Sequence, residues 1–126
     1  MTELVVRRLL IDLEQPVARH WCGDDAFLTA WFNALSMSFP VGEQFFIDSV
    51  RNGFKALPAD QQERFHTEVQ GFVGQEATHR RIHALFNAQI GKHGLHNAWE
   101  ARAQKRLALM EGIDVRHGVA VTAANE

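Results

Sequence analysis

Glu76, His79 and His83 are the side chains best suited to chemistry in this chain. They stand at i, i+3 and i+7 in the run Gln75-Glu76-Ala77-Thr78-His79-Arg80-Arg81-Ile82-His83. On a helix this spacing puts all three on one face. Phe65, Phe72, Phe86 and Ile90 extend the same stripe in both directions. A carboxylate and two imidazoles inside an apolar stripe are costly to bury unless something pairs with them. A metal ion is the most economical partner. Glu-x-x-His on an inward helix face is half of the ligand set of carboxylate-bridged di-metal bundles.

Glu43 is the second carboxylate of interest, because it shares a helix face with Phe46, Val50 and Phe54. The di-metal pattern asks for one Glu from each of two helices and a Glu-x-x-His from each of two others. Glu43 supplies the first single Glu, Glu76 with His79 supplies one Glu-x-x-His, and Glu126 is a candidate for the second single Glu. No further Glu-x-x-His follows, so the set amounts to a little over half a site. In such a site carboxylates bridge two cations and balance their charge, while imidazoles bind each ion terminally. The paired ions either activate dioxygen or acidify a bridging water for hydrolysis. Iron, manganese and zinc all remain open as the divalent metal, and nothing specifies the small-molecule substrate.

Two other arrangements fit the same residues. His79 and His83 at i, i+4 can reach one ion together, with Glu76 as a third ligand, which gives a mononuclear two-histidine, one-carboxylate site. It is not the zinc-protease motif, since Arg80 follows His79 and no glutamate lies between the histidines. His83 equally fits the role of orienting a carboxylate from outside the ligand set. Alternatively the chain is a metal-free helical interaction module in which Glu43, Glu76 and His79 pair with one another or with Arg51. Glu43 near Pro40 also suits a helix N-terminus on dipole grounds alone, and Glu126 is also simply a terminal acid. His20, His66, His93, His96 and His117 read as surface or loop residues. No catalytic nucleophile emerges. Cys22 lacks a suggestively spaced His or Asp and reads as a small buried hydrophobe.

The elements that must position these groups are helical. Residues 3–13 read as an extended N-terminal arm closed by Pro16. A first helix is expected over 25–38, capped by Asp24 or Asp25, with Phe27, Leu28, Trp31, Phe32 and Leu35 as its apolar face. Phe39-Pro40 should break it, and a second helix should run from Pro40 to Ala56. A third spans Asp60 to Ile90, with Asp60 and Glu63 resembling a capping box and Gly91-Lys92-His93-Gly94 as the stop. A charged fourth segment covers 95–111. Asp114 then caps a last helix, Val115 to Glu126, whose Val119, Val121, Ala123 and Ala124 look buried. The sum is an all-α bundle.

At 126 residues, 46% hydrophobic and 22% charged, the chain holds at most one small domain with a packed core. Well-mixed charges with a net of −2 argue against a nucleic-acid patch or a polybasic membrane surface. No apolar run reaches the length of a membrane span, and the N-terminus lacks a signal-peptide core. A single cysteine excludes an intrachain disulfide and fits a reducing compartment, so a cytoplasmic location is expected. The last helix has made only about three turns by residue 126, without a stop signal. Residues 1–126 are therefore expected to form one partial domain, cut within a helix. Its uncovered apolar faces should favour self-association.

Two motifs carry a resemblance that spans almost the whole chain. Phe39-Pro-Val-Gly-Glu43-Gln-Phe-Phe46 and Phe72-Val-Gly-Gln75-Glu76-Ala-Thr-His79-Arg-Arg-Ile-His83-Ala-Leu-Phe-Asn87 resemble the signature of the predicted metal-dependent hydrolase family, a bacterial group of helical, ferritin-like proteins. Val6-Arg7-Arg8 and His20-Trp21 are also similar to its opening. The resemblance implies an incomplete ferritin-like bundle and a metal-dependent hydrolase-like activity, with ferritin-like di-iron oxidase or oxygenase chemistry as the alternative. It implies that family members continue, after a run similar to Val119–Glu126, with a His and further helices carrying another Glu and His pair. By the same resemblance Glu126 matches the metal carboxylate of the third helix. The metal ligands it implies here are thus Glu43, Glu76, His79 and Glu126, with His83 nearby.

Overall fold

The computed structural model describes residues 11–126. They form four helices, α1 (Ala26–Lys55), α2 (Ala59–Gly91), α3 (Ala98–Ala108) and α4 (Val115–Asn125), and no strand occurs among the described residues. Helix α1 is the shared partner: α2, α3 and α4 each pack on it. The all-α expectation is met. Of the expected N-terminal arm, residues 3–10 lie outside the described residues, and 11–13 carry no regular structure.

The expected break at Phe39-Pro40 does not occur, because α1 runs unbroken through Pro40 for 30 residues. Proline removes the amide that would bond the Ser36 carbonyl, and its ring crowds that carbonyl. Another element supplies the missing donor. The Asn87 side-chain amide in α2 donates to the Ser36 carbonyl at 3.2 Å, and the Asn97 amide donates to the neighbouring Met37 carbonyl at 2.8 Å. Asn97 also accepts the Glu100 amide at 3.3 Å, so one side chain caps α3 and fastens it to α1. Tertiary contacts thus repair the local break.

Helices α1 and α2 form a hairpin across Ala56-Leu57-Pro58, closed where the Gln62 side chain donates to the Leu57 carbonyl at 2.8 Å. Pro58, rather than Asp60, holds the N-cap position of α2, and Asp60 lies in its first turn. The fixed proline φ of −56° sets the entry, and Asp60 contributes its charge to the helix dipole. At the far end of α2, Gln89 donates to the carbonyls of Leu13 and Glu14 at 3.0 and 3.1 Å, and His93 Nε2 lies 2.6 Å from the Val17 carbonyl. His93 is therefore half-buried against the segment that precedes α1, not a loose loop histidine. Asp25 and Asp114 cap α1 and α4 as their positions predict.

The buried seam of α1 is mostly polar. Thr29, Asn33, Ser36, Glu43 and Ile47 are buried, at successive steps of 4, 3, 7 and 4 residues that keep them on one helix stripe. The expected apolar face lies outside it: Phe27 is 74% and Trp31 61% exposed. The polar seam is where neighbouring elements bond. The Trp21 indole donates to Asn33 at 2.8 Å and the Cys22 amide donates to Thr29 Oγ1 at 3.2 Å. Helix α4 also departs from expectation. Val119, Val121, Ala123 and Ala124 are exposed, and Thr122 is its one buried residue. No helix among the described residues is long and apolar enough to cross a membrane.

Candidate metal centre

Helices α1 and α2 bring Glu43 against Glu76 and His79. A ligand atom from each of the three lies within 4.8 Å of the other two. The i, i+3 spacing on α2 sets the pair Glu76 and His79, whose Oε1 and Nδ1 are 3.5 Å apart. Glu43 reaches them because its stripe on α1 faces α2. Both carboxylates are buried, at 4% exposure for Glu43 and 2% for Glu76, while His79 lies on the exposed side.

The electrostatics are those of a site short of positive charge. Burial, then the nearby Glu76 carboxylate, push the Glu43 carboxyl up to about 7, with Arg80 opposing and Glu126 adding to the rise. Glu76 is raised too, first by burial and then by the charge of Glu126, with His79 opposing. Glu43 Oε2 is buried and has no hydrogen-bond partner. An orphaned carboxylate oxygen beside a second buried carboxylate and an imidazole is costly in a metal-free protein. The same donors satisfy the demands of a divalent cation, which takes carboxylate oxygen and imidazole nitrogen. The residues fit a metal.

His83 and Glu126 stand outside the three-residue group. His83 Nε2 lies 3.9 Å from Glu43 Oε1, one helical turn beyond His79. Its ring packs on Phe39 at 4.5 Å between centroids, tilted by 31°, and its Nδ1 is 2.9 Å from Ser36 Oγ. Burial, then the charge of His79, hold His83 below the ordinary imidazole range. Glu126 is exposed, and its charge reaches Glu43 and Glu76. Arg51, the alternative partner for the carboxylates, is exposed on α1, and among the described residues no ion pair joins it to them.

Sequence reasoning missed Ser36 and Asn87. Ser36 Oγ donates to Asn87 Oδ1 at 2.8 Å, and the two residues support His83 from behind. Asn87 lies four residues after His83, one turn along the same face, and that spacing was the available signal.

Residues 5–126 match the model of a family described as predicted metal-dependent hydrolase. No curated protein and no solved structure matches the chain. The family match covers nearly the whole sequence, including both α1 with Glu43 and α2 with Glu76 and His79, and the chain belongs to the predicted metal-dependent hydrolase family.

Proposed function

We propose that the chain forms the metal-holding part of a metal-dependent hydrolase, built as a ferritin-like helical bundle. Glu43, Glu76 and His79 would hold a divalent cation. The observation that carries this reading is the buried Glu43 carboxylate, with one oxygen unpartnered, set against Glu76 and His79. A cation held there supplies Lewis acidity, polarising a carbonyl or phosphoryl oxygen and acidifying water. Glu43 and Glu76 balance its charge and exclude bulk water from one side. His79 marks the solvent side, from which a substrate approaches.

The position of Glu43, with Glu76 and His79 on one flank and His83 within 3.9 Å, supports a bridging role and hence two ions, with Glu126 completing the carboxylate set. The compactness of the Glu43, Glu76 and His79 group favours a second reading, a single ion. Stoichiometry separates the two. For the hydrolase assignment itself, the chain loaded with manganese, zinc or iron(II) is assayed against chromogenic phosphate and carboxylate esters. Hydrolysis that is lost on chelation and in Glu76→Ala is expected. Turnover unaffected by chelation, or none with any loaded metal, contradicts it.

A further inference from the structure

The proton position on His83 follows from a chain of hydrogen bonds that begins at Pro40. Because Pro40 has no amide hydrogen, the Ser36 carbonyl is free to accept from another element. The Asn87 side chain lies 3.2 Å from it, and a carbonyl only accepts, so the NH2 end of Asn87 must face it. That turns Asn87 Oδ1 toward Ser36 Oγ, 2.8 Å away, and the single hydroxyl hydrogen is spent there. Ser36 Oγ then has only lone pairs to offer His83 Nδ1 at 2.9 Å, so Nδ1 carries the hydrogen. In a neutral ring Nε2 is consequently bare. It lies 3.9 Å from Glu43 Oε1, too far for a hydrogen bond, which agrees with there being no hydrogen between them. Two cation–ligand bonds of about 2.1 Å each span separations up to roughly this distance.

We propose that Ser36 and Asn87 are positioning residues that lock His83 in the Nδ1–H tautomer and so present a bare Nε2, beside Glu43, to a divalent cation. Phe39 packs against the His83 ring, and Asn87 is anchored on the carbonyl that Pro40 leaves without a helical amide. Partners of this kind behind a ligating histidine typically change metal affinity by about 10- to 100-fold when removed. The use of the tautomer rests on the metal-centre reading. The tautomer itself does not.

The test is a long-range 1H–15N spectrum of the histidine-labelled, metal-free chain, run beside calorimetric titration with zinc. The wild type should show His83 with a protonated Nδ1 and an unprotonated Nε2. Ser36→Ala removes the acceptor, so the hydrogen should redistribute toward Nε2 and zinc affinity should fall about tenfold or more. Asn87→Ala, which removes the oxygen that takes the Ser36 hydroxyl hydrogen, frees that hydrogen for His83 Nδ1 and should also produce mixed tautomers. A wild-type His83 protonated on Nε2 overturns the proposal, as do two variants that keep the wild-type pattern. Mixed tautomers in both variants with no change in zinc affinity overturn the role toward the cation. The expected tautomer pattern in a wild type that binds no zinc leaves the hydrogen-bond relay standing and defeats the metal-centre reading instead.

Discussion

At the scale of single residues, the structure turns on a buried carboxyl with one oxygen that lacks a hydrogen-bond partner. Glu43 has its carboxyl raised from 4.5 to about 7 by burial and by its neighbours. Between those values the folded, metal-free chain holds a proton that the unfolded chain has lost. Stability should therefore fall as pH rises from about 4.5 to 7 and level off above, an effect on the order of 3 kcal/mol. Urea unfolding of the metal-free chain across that range checks the slope. Saturating zinc should flatten or reverse it, since a cation displaces the proton. Glu43→Gln should stabilise the metal-free protein at pH 8 by about 1–3 kcal/mol while weakening cation binding, because it removes a buried charge and a ligand together. Loss of stability in that variant would show that Glu43 is already compensated. Glu43, Glu76 and His79 were legible in the sequence because helical spacing alone sets their faces. Ser36 was not, since its partners lie 47 and 51 positions away, beyond any periodic signal, and Asn87 carried only its one-turn spacing from His83.

At the scale of elements, the misread positions share one cause. Pro40 leaves the Ser36 carbonyl without its helical amide, and Asn87 bonds that carbonyl from α2 while Asn97 at the α3 cap bonds the Met37 carbonyl. No rule confined to neighbouring residues contains that information. Likewise the apolar face of 27–35 is a genuine helical pattern, yet the partners available to α1 bond its polar seam. Asn97→Ala should cost about 1–2 kcal/mol, a lost cap together with the hydrogen bond that ties α3 to α1, readable as a lower thermal midpoint. The α1–α4 contact is close. A Cβ at Gly53 would stand 2.6 Å from Val119 Cγ2, and one at Gly118 would stand 2.9 Å from Ser49 Oγ. Alanine normally favours a helix over glycine. Here Gly118→Ala should nevertheless destabilise by roughly 1–2 kcal/mol, because buried Ser49 must yield. A stabilised Gly118→Ala would mean that α4 can slide away from α1 at little cost.

At the scale of the whole molecule, few apolar side chains among the described residues are buried: Ile47, Val73, Ile90 and Ala103. Phe27, Trp31, Leu109 and several other large apolar residues are exposed. Such a surface favours association. Sedimentation of the chain should show mass rising with concentration, and Phe27→Lys with Trp31→Lys should reduce it. The helical class was readable from period and caps, whereas which faces are covered depends on how the elements meet. This thinly packed set of helices should hold a divalent cation on Glu43, Glu76 and His79. Elemental analysis after loading with manganese, iron(II) or zinc and gel filtration tests it most directly, on the wild type beside Glu76→Ala. One or two ions retained per wild-type chain and none in the variant is the expected result. Retention that Glu76→Ala leaves unchanged, or a wild type that holds no metal, would contradict it.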